Sequence, residues 1–151
     1  MIQHIDVHSV LQESSAGVYT DLVTRPTGRV VRERIQRVIA AGGGEGGGAP
    51  AIARMDFTGV GCMDYSCADE IVARLVREWP AALLLRNLTD GHREAIQPVL
   101  AAHGLAVLVE QPDGTLDALG TPAAAVALLA QLVIQRLARR LPGGTFVLLA
   151  T

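Results

Sequence analysis

The period of the hydrophobic positions switches most sharply between residues 51 and 79. Residues 51–57 are an apolar run that predicts a buried strand. Residues 58–65 contain Gly59 and Gly61 and predict a short turn. Residues 66–78 predict a helix, because Ala68, Ile71, Val72, Leu75, Val76 and Trp79 recur in i, i+3, i+4 steps. Asp69, Glu70, Arg74, Arg77 and Glu78 fall on the opposite face. This order places Ser66 at a helix N-terminus, beside the carboxyl end of a strand. Open α/β sheets tend to gather functional groups there.

The flanking segments extend the pattern. Residues 2–11 alternate weakly, with Ile5, Val7 and Ser9 on one side and His4, Asp6 and His8 on the other, and predict a first strand. Residues 13–17 predict a turn and residues 18–23 a second strand. Pro26 and Gly28 lead into a helix with Thr27 as its N-cap. Its apolar face is Val30, Val31, Ile35, Val38 and Ile39, with Arg29, Arg32, Glu33, Arg34 and Arg37 opposite as a basic surface. Pro80 ends the central helix. Residues 81–88 predict a core strand, with Leu83, Leu84 and Leu85 continuous as in a strand covered on both faces. Thr89 or Asp90 caps a helix that runs toward His103 and stops at Gly104, with a kink expected at Pro98. Residues 105–109 predict a strand, 112–114 a turn and 115–119 a hairpin partner. Thr121 and Pro122 mark a helix start. That helix is carried to about residue 141, where Arg136, Arg139 and Arg140 suit its dipole. Residues 142–144 stop it, and 145–150 predict a last strand.

Composition narrows the classes. The chain has 151 residues, which fits one domain, and half of them are hydrophobic. Aromatics make up only 3%, so Leu, Val, Ile and Ala must fill the core. A net charge of −2 with mixed signs argues against a nucleic-acid partner. Two cysteines, Cys62 and Cys67, are too few for a disulfide framework and point to a reducing compartment. The first ten residues lack the pattern of a signal peptide. No apolar run reaches the roughly 18 residues of a membrane span. The expectation is a cytoplasmic protein.

Asp56, Thr58, Gly59, Val60, Asp64 and Ser66 stand, in that order, where the STAS domain carries its signature. That signature is an apolar strand ending in Asp, a small hydroxyl residue, Gly, Val, then Asp-Ser-Ser-Gly opening a helix. The chain thus resembles the STAS-like family, the fold of sulfate-transporter tails and anti-sigma-factor antagonists. Tyr65 replaces the first Ser of the pair and Cys67 replaces the Gly. The stretch from Ser66 through Cys67, Ala68 and Asp69 to Glu70 is closer to a STAS-like branch of unknown function, which has Ser, an aromatic, Ala, Asp and Glu there. The resemblance covers residues 18–109. It implies a single α/β domain with a mixed sheet of about five strands, an ordinary sheet size, covered by about four helices. It also implies a regulatory module that works by contact with another regulatory protein or a kinase, with no enzymatic activity and no cofactor. Ser66 matches the serine that a partner kinase phosphorylates. The implied contact surface is Thr58, Gly59, Asp64, Tyr65, Ser66, Cys67 and Asp69.

Each of these residues also has a plainer use. Ser66 suits an N-cap, with Asp69 completing a Ser-x-x-Asp box. Asp56 and Asp64 suit acceptors for turn N–H groups. Cys67 is either a helix-start nucleophile or a buried thiol. The C-x4-C spacing of Cys62 and Cys67 needs further ligands before it reads as zinc, and His4 with His8 is a weak metal pair. Gly42, Gly44 and Gly47 match G-x-G-x-x-G, but they follow a helix and precede a strand, so residues 42–48 read as a flexible loop. Asp113 and Asp117 read as a turn and a strand-edge residue. Val126, Leu128, Leu129, Leu132, Val133 and Leu137 form a wide stripe that suits packing on the sheet, with a homodimer interface or partner groove as the alternative. Two further classes stay open: a small-molecule or lipid-binding module, and an enzyme using Cys67 or Ser66.

Overall fold

The computed structural model describes residues 2–15, 17–41, 52–78 and 82–149. The Gly-rich segment and Trp79 lie outside these residues. The chain runs β1 (Ile2–Asp6), α1 (Val7–Ser14), α2 (Arg25–Ala41) and β2 (Ile52–Asp56). A continuous helical run follows, made of α3 (Tyr65–Cys67), a π-helical segment (Ala68–Ala73) and α4 (Arg74–Glu78). Then come β3 (Ala82–Arg86), α5 (Asp90–Ala102), β4 (Ala106–Glu110), β5 (Thr115–Gly120), α6 (Pro122–Ile134), β6 (Ala138–Arg140) and β7 (Phe146–Leu148).

The seven strands form one mixed sheet in the order β1-β2-β3-β4-β5-β7-β6. The first four are parallel and the rest antiparallel. Parallel strands added in one direction place their connecting helices on one face when the crossovers follow the usual right-handed rule. Side-chain alternation agrees. Ile5, Met55, Leu83, Leu85, Val107 and Val109 point into the larger core with α1, α2, the π-helical segment and α5. Ile52, Leu84, Leu108 and Leu116 point the other way, toward Leu132 of α6 and Ala138 of β6. β3 and β4 are buried on both faces, as their continuous apolar runs require.

The α/β class holds, but the sheet has two strands more than the five expected. The last strand expected within residues 145–150 is present as β7, and β6 is the strand that was not expected. α6 ends at Ile134, not near residue 141. Arg136 adopts φ +61°, Leu137 N–H donates to Leu132 O at 2.9 Å, and Arg136 N–H donates to Val133 O at 3.0 Å. This is a Schellman stop with arginine where glycine is usual. Residues 138–148 then form a hairpin, with Leu141 N–H on Thr145 O at 2.7 Å. Arg136, Arg139 and Arg140 therefore lie past the helix.

The N-terminal expectations also need correction. The first strand stops at Asp6, whose carboxylate caps α1 by accepting from Ser9 N–H at 3.1 Å. Val7, Val10 and Leu11, spaced for a helix, are buried. His4 and His8 consequently sit on different elements. Residues 18–23 form no strand, only a parallel bridge between Leu22 and Met63. α2 starts before Thr27, so Thr27 does not cap it. Its buried face is Gly28, Val31, Arg32, Ile35 and Ile39, while Val30 and Val38 stay exposed. Arg32 thus leaves the expected basic surface. α5 runs through Pro98 unbroken.

Candidate functional site

β2 delivers the chain to the carboxyl edge of the sheet at Asp56. Asp56 Oδ1 accepts from Thr58 N–H at 2.9 Å, Thr58 Oγ1 at 2.6 Å and Asn87 Nδ2 at 3.0 Å. Burial works to raise its pKa, but these hydrogen bonds and nearby Arg86 outweigh it and leave the carboxyl below its usual range. Gly59 follows with φ +87°, and a side chain there would press on the His8 ring.

The turn is then laced to the α1–α2 connection. Gly61 N–H donates to Thr20 O at 2.7 Å, Leu22 N–H to Cys62 O at 2.7 Å, and Asp64 N–H to Leu22 O at 2.9 Å. Asp21 Oδ1 accepts from Cys62 N–H at 2.8 Å. From the other side, His92 Nδ1 accepts from Thr89 N–H at 3.1 Å within the α5 capping box. That bond leaves its proton on Nε2, which donates to Gly61 O at 2.7 Å. His92 is fully buried and pins the turn. An open cleft of about 600 Å³ lies between this turn and the start of α5, lined by Asp21, Gly61, Cys62 and His92 among others.

Asp64, not Ser66, caps the following helix. Its Oδ1 accepts from Cys67 N–H at 2.8 Å and from the Ser66 hydroxyl at 2.8 Å. Its Oδ2 accepts from Thr24 N–H at 3.0 Å, just before α2. One carboxylate therefore joins the helix start, the serine and the neighbouring connection. Burial opposes its charge, but these donors prevail and hold its pKa below the usual carboxylate range. Ser66 is half-buried and Tyr65 is 53% exposed.

Cys67 lies under this start. Its thiol is buried, donates to Thr24 O at 3.1 Å, and is pushed up to about 12 by burial and then by the Asp64 charge. A thiol held protonated there is a poor nucleophile. Asp64, with its depressed pKa and occupied oxygens, is a weak base for Ser66.

Asp69 is a turn further on and takes no part in a capping box. It pairs with Arg25 at 2.8 Å and His103 at 3.2 Å. Burial opposes its ionisation, but Arg25 and His103 hold its carboxyl low. Adjacent Glu70, only 1% exposed, meets Arg25 at 3.1 Å, Arg32 at 3.3 Å and Arg74 at 3.7 Å. Gly28 lets α2 approach closely enough for this. A Cβ at that position would stand 3.1 Å from both Cys67 Cα and Glu70 Cβ.

Of the expected surface, the structure joins Asp64, Ser66 and Cys67 directly. Thr58 and Gly59 lie at the far side of the same turn, and Asp69 turns toward the α2–α5 charge cluster. Asp21, Thr24, Arg25 and His92 were missed. The only signal for His92 was Thr89 three residues earlier, and the others lay in a segment read as a strand and its exit. Among the described residues, no group of three or more metal-ligating side chains converges. The void beside Leu128 of α6 holds about 60 Å³, too little for an apolar ligand. Among the described residues, no helix is long and apolar enough to cross a membrane. No protein-family model, curated protein or solved structure matches this chain.

Proposed function

We propose that this protein is a non-enzymatic regulatory module that binds another protein through residues 58–67 and the helix start that follows. Ser66 is its phosphorylation switch. The observation that carries this reading is the shared carboxylate of Asp64. A phosphate on Ser66 would set about two negative charges beside a carboxylate now 2.8 Å away. The two anions compete for one helix start, so Asp64 must release Thr24 N–H or the helix N–H groups. Phosphorylation thereby becomes a change of shape in the turn and in the 20–24 segment laced to it. Exposed Tyr65, Tyr19 and Val23 supply apolar contact area on these two segments.

The STAS-like resemblance supports the same reading, since the serine matching Ser66 is the modified one in anti-sigma-factor antagonists. The test is phosphopeptide mapping by mass spectrometry of the protein recovered from its own cells under several growth conditions. Phosphate is expected on Ser66. Its absence there, with full coverage of the peptide, removes the switch. A Ser66→Asp variant that leaves capture of the partner unchanged removes it equally.

A further inference from the structure

We infer that Arg25 is the internal receptor for a phosphate on Ser66, exchanging Asp69 and Glu70 for it when the serine is modified. This rests on the phosphorylation reading above and names the group that the modification moves. Several contacts set Arg25 beside the serine. The Ser66 hydroxyl donates to Asp64 Oδ1 at 2.8 Å, and the same carboxylate accepts from Thr24 N–H at 3.0 Å through Oδ2. Arg25 is the next residue and the first of α2. Its guanidinium meets Asp69 at 2.8 Å and Glu70 at 3.1 Å. These acids stand three and four residues beyond Ser66 on the helical run, and so on the same side of it. The charge of Arg25 also acts on the adjoining Cys67 thiol.

Arg25 is the arginine of this cluster that can move. Its side chain is 41% exposed, against 11% for Arg32. Both of its contacts are made by Nη1, so among the described residues Nε and Nη2 are available as donors. Its departure strands no buried charge. Glu70 keeps Arg32 at 3.3 Å and Arg74 at 3.7 Å, and Asp69 keeps His103 at 3.2 Å. Arg74 lies eight residues beyond Ser66, about two turns away. Transfer of a phosphoryl group from a nucleoside triphosphate replaces the Ser66 hydroxyl proton, which leaves to solvent, and removes the donor to Asp64. The resulting anion faces Asp64, Asp69 and Glu70. A guanidinium can meet it with two parallel N–H groups and offset that repulsion. Arg25 opens α2, so its exchange of partners carries the modification from the turn to the connection that ends at Thr24.

The test uses the full chain with phosphoserine incorporated at position 66 during synthesis. Its result is thus independent of whether cells modify Ser66, which phosphopeptide mapping decides separately. In phosphorus NMR, a phosphate held by Arg25 should pass its second ionisation at about 5 instead of the usual value of about 6. Arg25→Gln should return it to about 6 or above, and Arg25→Lys should keep part of the fall, both with unchanged circular dichroism. Nitrogen-15 NMR gives a readout without any substitution of Arg25. Its Nε–H signal should shift and exchange more slowly with water once the phosphate is present. A phosphate whose ionisation Arg25→Gln leaves unchanged overturns the proposal. So does an Arg25 Nε–H signal that the phosphate does not move.

Discussion

Replacing Asp64 by Ala removes three interactions at once: the cap on Cys67 N–H, the acceptor for the Ser66 hydroxyl, and the bond to Thr24 N–H. Loss of a helix cap costs about 1 kcal/mol. A hydrogen bond to a charged acceptor contributes about 1.5 kcal/mol more at the low end of its range, which suits a carboxylate that water can partly reach. The sum is about 2–3 kcal/mol. For a chain of this size that lowers the melting midpoint by roughly 4–12 °C. The pH dependence gives a second handle. The folded pKa of Asp64 lies below its unfolded value. Its contribution is therefore complete above the unfolded pKa of about 3.9 and is lost as pH falls through the folded value. Urea denaturation of native and Asp64→Ala protein should give a constant difference from neutral pH to about pH 5, shrinking below about pH 4. Asp64→Asn keeps an acceptor and should lose about half as much. A difference under about 0.5 kcal/mol, or one that does not shrink in acid, refutes the role given to this carboxylate.

Three further outcomes follow from the geometry. Glu70→Ala leaves buried Arg32 with only the longer 4.0 Å contact to Glu78 and should cost about 3 kcal/mol, the low end for a broken buried pair, by chemical denaturation; Glu70→Gln, which keeps a hydrogen-bond acceptor, should cost less. A thiol reagent at neutral pH should modify Cys62 quickly and Cys67 only on unfolding, giving one reactive thiol in buffer and two in denaturant. Gly120→Ala should fold poorly or melt far lower, because Gly120 holds φ +112° and a Cβ would collide with Leu105 O; purification yield and melting midpoint report it.

The central strand, turn and helix were legible because three signals agreed there: an apolar run, a glycine turn and a helical period. β3, α5, β4 and β5 were legible for the same reason. The first helix was not. Val7 fits a period of two as well as it begins a helix, and the cap that decides the matter is Asp6, which the alternation placed inside a strand. The end of α6 was hidden because an arginine occupies the left-handed position that glycine normally marks. Within the site, Asp64 and Ser66 could be placed from sequence, but their roles as cap and bonded hydroxyl could not. The choice depended on Thr24, which is 40 positions away from Asp64. Glu70 and Arg32 looked like surface charges because nothing local shows that Gly28 draws their helices together.

The hairpin that ends the chain is tied to the rest of the sheet by two register pairs, Thr115 with Val147 and Leu116 with Phe146. β1 and β2, by comparison, share five. Cooperative opening should begin where the ladder is shortest. In hydrogen exchange, amides of β6 and β7 should lose protection first, while those of β2 and β3 report the global transition. The end of the chain would then loosen as a separate unit, uncovering the sheet face beneath α6 without disturbing Asp64.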